Sequence, residues 1–333
     1  MQKKLYNHNI RQEKNFFAIE VLTIVYAIIT SFIVIALWSK LDNPASFLKV
    51  RIAVIIGITL IYLTSYLFKF KATTSFIRTI LPIALLSYWY PETYEFNKVI
   101  PNLDYLFASL EQTIFGFQPA LVFAERFSSK WVSEAFYMGY FFYFPMMLFI
   151  ILYCYFYQRD KFNRLTFIFL SSFLLYYLLF ILVPVAGPQF YFPVIGMESA
   201  KSGLFLNIDN YFYFNNELFP GPGYSDGIFY RLVKISQGMG EQPTAAFPSS
   251  HVGISTILMI WLWDNNKKIM FALFPVYALL CGATVYIQAH YLIDVFAGWL
   301  SAFTFYYLFA FSFDKIIVSE KVKLFLIKLS PVR

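Results

Sequence analysis

Long apolar runs alternate with short polar segments along the chain, the pattern of repeated bilayer crossings. Crossing the hydrocarbon core as a helix takes roughly 17–25 apolar residues. Runs of that kind predict spans at about 16–38, 52–68, 135–157, 165–186, 269–289 and 291–313. Two shorter runs, about 76–90 and 248–263, bring the expected set to eight. The first run is too long for a signal-peptide core and lacks a small-residue cleavage site, so it reads as a signal anchor. The 76–90 run contains Arg78 and Pro82 and also fits a re-entrant segment; if it does not cross, every later orientation inverts. Residues 269–313 as one helix would extend about 67 Å against a core of about 30 Å. Their only polar cluster is Gln288, His290 and Asp294, so the chain is expected to turn there, at a membrane face. Ser249-Ser250-His251, which opens the 248–263 span, falls on the same face in this topology.

Composition agrees with this pattern. Of the 333 residues only 14% are charged, where a water-soluble domain carries about 25%. The predicted fold class is therefore all-α, a polytopic integral membrane helix bundle. The net charge of +7 is scattered between apolar runs, which fits orientation in a bilayer and not a nucleic-acid footprint. With the N-terminus inside, the cytoplasmic segments hold most of the 26 basic residues, from Lys3, Lys4, Arg11 and Lys14 through Lys69, Lys71, Arg78, Arg159, Lys161, Arg164, Lys267 and Lys268 to Arg333. The positive-inside rule then puts both termini in the cytoplasm. Two long segments lie outside. In 91–134, Leu103, Leu106, Phe107, Leu110 and Ile114 stand at helical spacing opposite Asp104 and Glu111, which predicts a helix lying in the membrane interface. Segment 187–247 is rich in turn formers, including Gly187-Pro188 and Pro220-Gly221-Pro222-Gly223, and its length suggests a lid or binding element. Cys154 and Cys281 both sit in apolar runs, so no disulfide framework exists.

Candidate chemistry gathers at two of the three histidines; His8 sits in the polar N-terminal tail and reads as solvated. Residues four apart share a helix face, so Asp294 can reach the His290 ring and fix its tautomer, leaving the other nitrogen to attack. His251 can protonate a leaving oxygen and then activate an acceptor. Pro248 helps start a helix that Ser249 and Ser250 can cap, and its first-turn N–H groups favour an anion. Arg231 and Lys234 are candidate cations for a phosphoryl group. Ionisable residues in spans are costly and functional by default. Glu20, near the end of the first span, reads instead as snorkelling or helix capping. No His, Cys and carboxylate set has metal-ligand spacing near the site, so neither metal nor cofactor is expected.

At these residues the sequence resembles the type-2 phosphatidic acid phosphatase superfamily. Ala246-Phe247-Pro248-Ser249-Ser250-His251 matches its second motif and His290-Tyr291-Leu292-Ile293-Asp294 its third. The resemblance implies that His290 is the nucleophile forming a phosphohistidine, that Asp294 orients it, and that His251 is the acid/base. Family phosphatases usually carry Ser-Arg seven and six residues before the nucleophile, where this chain has Ala283 and Thr284. The first motif is also unmatched, since Lys234 is followed by Gln242-Pro243 and not Arg-Pro. These departures look like the inositol phosphorylceramide synthase branch. Further similarity to it lies in Leu110-Glu111 through Phe115-Gly116 and Pro119, and in Pro184 through Gly187-Pro188.

The resemblance implies N-terminal additional spans (1–92), a six-helix-type catalytic core (93–313) containing the 187–247 loop, and a basic tail (314–333). The expected activity is transfer from a phospholipid donor to a lipid alcohol, with inositol phosphate as the moving group. Water as acceptor would make it a lipid phosphate phosphatase. A non-catalytic protein or transporter retaining the fold is the other class, though transporters tend to carry mid-membrane charges and related halves, and here the polar residues sit at span ends without an internal repeat. The expected surroundings are the bilayer, with the site on its non-cytoplasmic face.

Overall fold

The computed structural model describes residues 16–67 and 71–329, with side chains described over 16–67 and 76–316. His8, Lys3, Lys4, Arg11, Lys14, Lys69 and Arg333 lie outside the described residues. The chain is all-α, with no strand among the described residues, and divides into two compact units, 1–99 and 100–333.

The first unit contains α1 (Ala18–Ala36), α2 (Pro44–Leu67), α3 (Lys71–Ala84) and α4 (Leu86–Asn97). Its helices are joined by two buried ion pairs. Glu20 and Arg78 meet at 2.6 Å and Arg51 and Glu92 at 2.8 Å, with all four side chains 3% exposed or less. An isolated charge in hydrocarbon is costly, so each arginine takes a carboxylate two-pronged. Arg51 further donates from Nε to Thr30, and Tyr88 donates to Glu92. This corrects two expectations. Arg78 is buried in an ion pair and not free in a polar segment, and Glu20 does not snorkel, although it does cap α1 by accepting from the Phe17 amide at 2.6 Å. The 76–90 run is split at Leu85 between α3 and α4, neither of them long enough to cross.

The second unit begins with α5 (Asp104–Phe115), α6 (Pro119–Arg126), α7 (Lys130–Phe141) and α8 (Tyr143–Tyr157). It continues with α9 (Arg159–Leu182), α10 (Pro188–Ile195), α11 (Met197–Lys201) and α12 (Ile228–Gly238), and closes with α13 (Ser250–Asn265), α14 (Lys267–Tyr286) and α15 (Leu292–Leu329). Helix α13 is central: it packs on α8, α9, α14 and α15 and buries nearly every residue from Ser250 to Leu262. Two glycines allow that packing. A Cβ at Gly298 would lie 2.8 Å from the Ser249 carbonyl, and one at Gly253 would overlap the Tyr176 hydroxyl.

Among the described residues, five helices are long and apolar enough to cross a membrane: α1, α2, α9, α14 and the Leu292–Ile316 part of α15. The α7–α8 pair, bent by 43° around Phe142, makes a sixth if it acts as one span. The expected eight counted 76–90, which is broken, and α13, which has 16 residues. The turn expected between 269 and 313 occurs between Tyr286 and Leu292.

Removing one partner of a buried pair strands a charge, at a cost of about 3–5 kcal/mol. Glu92→Ala is thus expected to lower thermal stability in detergent sharply, and Arg51→Met with Glu92→Met to recover most of the loss. Unfolding curves of the three proteins check this.

Candidate active site

The two histidines are brought together by the starts of α13 and α15. After α14 the chain reverses through Gln288, held at a φ of 66°, and the His290 amide donates back to Thr284 O at 3.0 Å. Before α13, Ala245 has a φ of 68° and the Phe247–Pro248 bond is cis. A positive φ in a non-glycine residue, as at Gln288 and Ala245, is uncommon and gathers at functional sites. Ser249 caps α13 by accepting from the Val252 amide, while its own amide donates to Asp294 O at 3.1 Å, so the two helix starts are tied directly.

His290 and His251 face each other, Nε2 to Nδ1, at 3.3 Å. His290 Nδ1 lies 2.7 Å from the Ala246 carbonyl oxygen. A carbonyl only accepts, so Nδ1 carries the proton and Nε2 keeps its lone pair toward His251. Asp294 Oδ2 lies 3.6 Å from the same Nδ1, beyond a good hydrogen bond, and accepts instead from the Tyr291 amide at 2.8 Å. The direct orienting contact is therefore a backbone carbonyl, with the expected carboxylate just behind it. Burial pushes the His290 pKa down to about 4, against the opposing pull of the Ala246 carbonyl and of Glu241. The ring is neutral at physiological pH. His251 stacks on Tyr140 and packs against the tilted ring of Tyr143, at ring-centroid distances of 4.8 and 4.5 Å. The bend at Phe142 brings those two tyrosines to it.

Helix α5 is turned opposite to the expectation for an interfacial helix with its acids in water. Leu106, Leu110 and Ile114 are exposed, whereas Asp104, Ala108 and Glu111 are fully buried. The acids point into the protein and hold the segments around the site. Asp104 accepts from the Ala186 and Gly187 amides at 2.7 and 2.8 Å, from Asn102 at 2.6 Å and from Tyr291 Oη at 2.9 Å. Glu111 accepts from the Leu292 and Ile293 amides at 2.6 and 3.3 Å and so caps α15 from another helix. The signal for this was the i, i+4, i+7 spacing of Asp104, Ala108 and Glu111, which puts both acids and a small residue on one helix face.

The 187–247 segment is folded onto α7. Glu134 accepts from the Phe229 and Tyr230 amides and caps α12, Tyr137 donates to Pro222 O, and Ser133 Oγ accepts from the Tyr224 amide. Lys234 is half-buried and donates to Phe219 O at 3.1 Å; burial lowers its pKa and nearby Glu241 raises it. Arg231 lies on the exposed side of α12, and the structure does not bring it to the histidines. Glu241, which sequence reasoning missed, accepts from Gln189 at 3.2 Å, and Gln189 in turn accepts from Gln237. Burial raises the Glu241 pKa, while His290 and Lys234 act to lower it. Glu241 thus lies within electrostatic range of both Lys234 and His290. At the position where family phosphatases carry arginine, Thr284 is fully buried and donates to Cys281 O at 2.8 Å.

The two histidines thus meet in one buried polar cluster within the second unit. The model of the PAP2 superfamily matches residues 106–308, more than half of the chain, and the protein belongs to that family, whose members are generally phosphatases. No curated protein and no solved structure gave a match.

Gly187 has a φ of +95°, and a Cβ there would lie 2.5 Å from the Ala289 carbonyl, next to His290. Gly187→Ala is expected to cost about 1–3 kcal/mol through strain and overlap. A lower unfolding temperature in detergent, with helix content retained by circular dichroism, is the corresponding measurement.

Proposed function

We propose that this chain is a membrane phosphotransferase that acts on lipid phosphate esters through a phosphohistidine, moving an inositol-phosphate-type head group to a lipid alcohol. The observation that carries the reading is the lone pair of His290 Nε2, held toward His251 by the hydrogen bond from Nδ1 to Ala246. His290 Nε2 attacks phosphorus, the P–N bond forms and the bond to the leaving lipid oxygen breaks. His251, protonated once the anionic phosphoryl group is bound, gives that oxygen its proton and becomes neutral. It then takes a proton from the acceptor hydroxyl, whose oxygen attacks phosphorus and breaks the P–N bond. The contact between the two rings opens to admit the phosphoryl group.

Positive charge for that group comes from the first-turn amides of α13, capped by Ser249 and followed by Ser250, and from Lys234. Asp294 stabilises the ring as it gains positive character. The absence of the family's arginine, with Thr284 turned to a backbone carbonyl, favours the transferase branch over the common phosphatase pattern. The charge distribution between spans favours a site on the non-cytoplasmic face. Hydrolysis is the second reading, since phosphatases predominate in the family.

Purified protein given labelled phosphatidylinositol, with and without ceramide, separates these readings. Transfer should require ceramide, and His290→Ala should reduce it by about 10⁴-fold or more. Phosphate release from phosphatidate without an acceptor would favour the phosphatase, and undiminished activity in His290→Ala would end the nucleophile assignment.

The lowered His290 pKa has a direct consequence for pH dependence. A depressed pKa keeps the ring unprotonated down to about pH 4. Single-turnover labelling of the protein should hold steady as pH falls from neutral toward 5 and decline as it nears 4. A midpoint at the ordinary histidine value, about 6.5, would contradict the buried geometry.

A further inference from the structure

Helix α15 starts with three consecutive amides, and two carboxylates share them. Tyr291 donates to Asp294 Oδ2 at 2.8 Å, while Leu292 and Ile293 donate to Glu111 Oε1 at 2.6 and 3.3 Å. Both acids are fully buried, and each keeps one buried oxygen without a hydrogen-bond partner: Glu111 Oε2 and Asp294 Oδ1. A helix start supplies about half a positive charge. That offsets one carboxylate and not two, and like charges in a shared buried site do not both ionise.

Among the described residues, the surroundings add no cation. Asp294 and, behind it, His290 face Glu111 from the α15 side. Asp104, on the same helix as Glu111, is an acid whose acceptors are already used by Asn102, Ala186, Gly187 and Tyr291. Gln118, from the start of α6, packs on α5 through Ala108 O and is uncharged. No ion pair to Glu111 exists among the described residues.

The two acids differ in what their charge accomplishes. Asp294 sits 3.6 Å from His290 Nδ1, where a negative charge stabilises the ring once Nε2 is bonded to phosphorus. Glu111 touches only amides that a neutral carboxyl can also accept from. We propose that Glu111 is a positioning residue of the phosphoryl-transfer site: it holds the single proton of the Glu111–Asp294 pair, so that Asp294 stays anionic behind His290 while the start of α15 remains tied down. This rests on the phosphoryl-transfer reading of the site. Burial first, and the Asp294 charge second, push the Glu111 carboxyl up to about 8, against the pull of the two amides. The shift is upward, so the proton is held below about pH 8 and lost above it. Its loss puts a second charge on the helix start and displaces His290.

Glu111→Gln provides the test, because its Oε1 accepts from the Leu292 and Ile293 amides as the protonated acid's does, and its side chain cannot ionise. With labelled phosphatidylinositol and ceramide as the probe, wild-type turnover should fall about tenfold per pH unit above pH 8. Glu111→Gln should stay within about threefold of wild type near neutral pH and lose that fall, since it keeps the geometry and cannot titrate. Glu111→Ala should lose about 100-fold at every pH through misplacement of the site. Infrared difference spectra give a readout independent of turnover. A protonated-carboxyl band should be present in wild type near neutral pH, vanish with a midpoint near 8, and be missing in Glu111→Gln. An alkaline fall that persists unchanged in Glu111→Gln, or a neutral-pH spectrum identical in the two proteins, would overturn the proposal. If wild type turns over no lipid phosphate ester, the functional reading fails, and the infrared band alone decides where the proton sits.

Discussion

The hydrogen bond from His290 Nδ1 to the Ala246 carbonyl organises the functional half of the molecule. It joins segments 44 residues apart and fixes which ring nitrogen carries the proton. The remaining features either hold its two ends or use the lone pair it exposes. On the Ala246 side, the Ala246 amide donates to Val185 O, and the following Ala186 and Gly187 amides are held by Asp104. On the His290 side, Thr284 O takes the His290 amide while Asp294 and Glu111 cap the helix that follows. Because these partners are mostly backbone groups, the site is set by chain path as much as by side-chain identity.

Buried acids do most of the joining in this protein. Glu20 and Glu92 neutralise arginines inside the first unit, and Asp104, Glu111 and the half-buried Glu134 satisfy amides at turns and helix starts in the second. In a bilayer an unsatisfied amide has no water to turn to, so a carboxylate that accepts several of them locks irregular chain firmly. A helix bundle can thereby support a polar, strained site at its end without loosening its apolar body.

How much was legible in advance follows from the range over which each signal acts. His251, His290 and Asp294 were readable because short motifs carry them and because a histidine at a span end is conspicuous in apolar sequence. The reversal near His290 was readable from length, since no bilayer accommodates so long a helix. The acids of α5 were visible, but their direction was not: the same stripe fits a helix facing water and one facing a protein core. The Glu20–Arg78 pair is separated by 58 residues and needs the packed helices to be seen. Tyr140 and Tyr143 depend on a bend that hydropathy does not mark, and the Ala246 carbonyl is backbone, which no residue type announces. Arg231 and Lys234 lie three apart on one helix, yet only Lys234 turns inward.

The central claim is that the Ala246 carbonyl leaves Nε2 of His290 as the attacking atom. Phosphorus NMR of the acid-quenched, alkali-stabilised intermediate, combined with mass mapping of the labelled peptide, distinguishes the two phosphohistidine isomers. The account predicts phosphorus on Nε2 of His290. Phosphorus on Nδ1, or on His251, would contradict it.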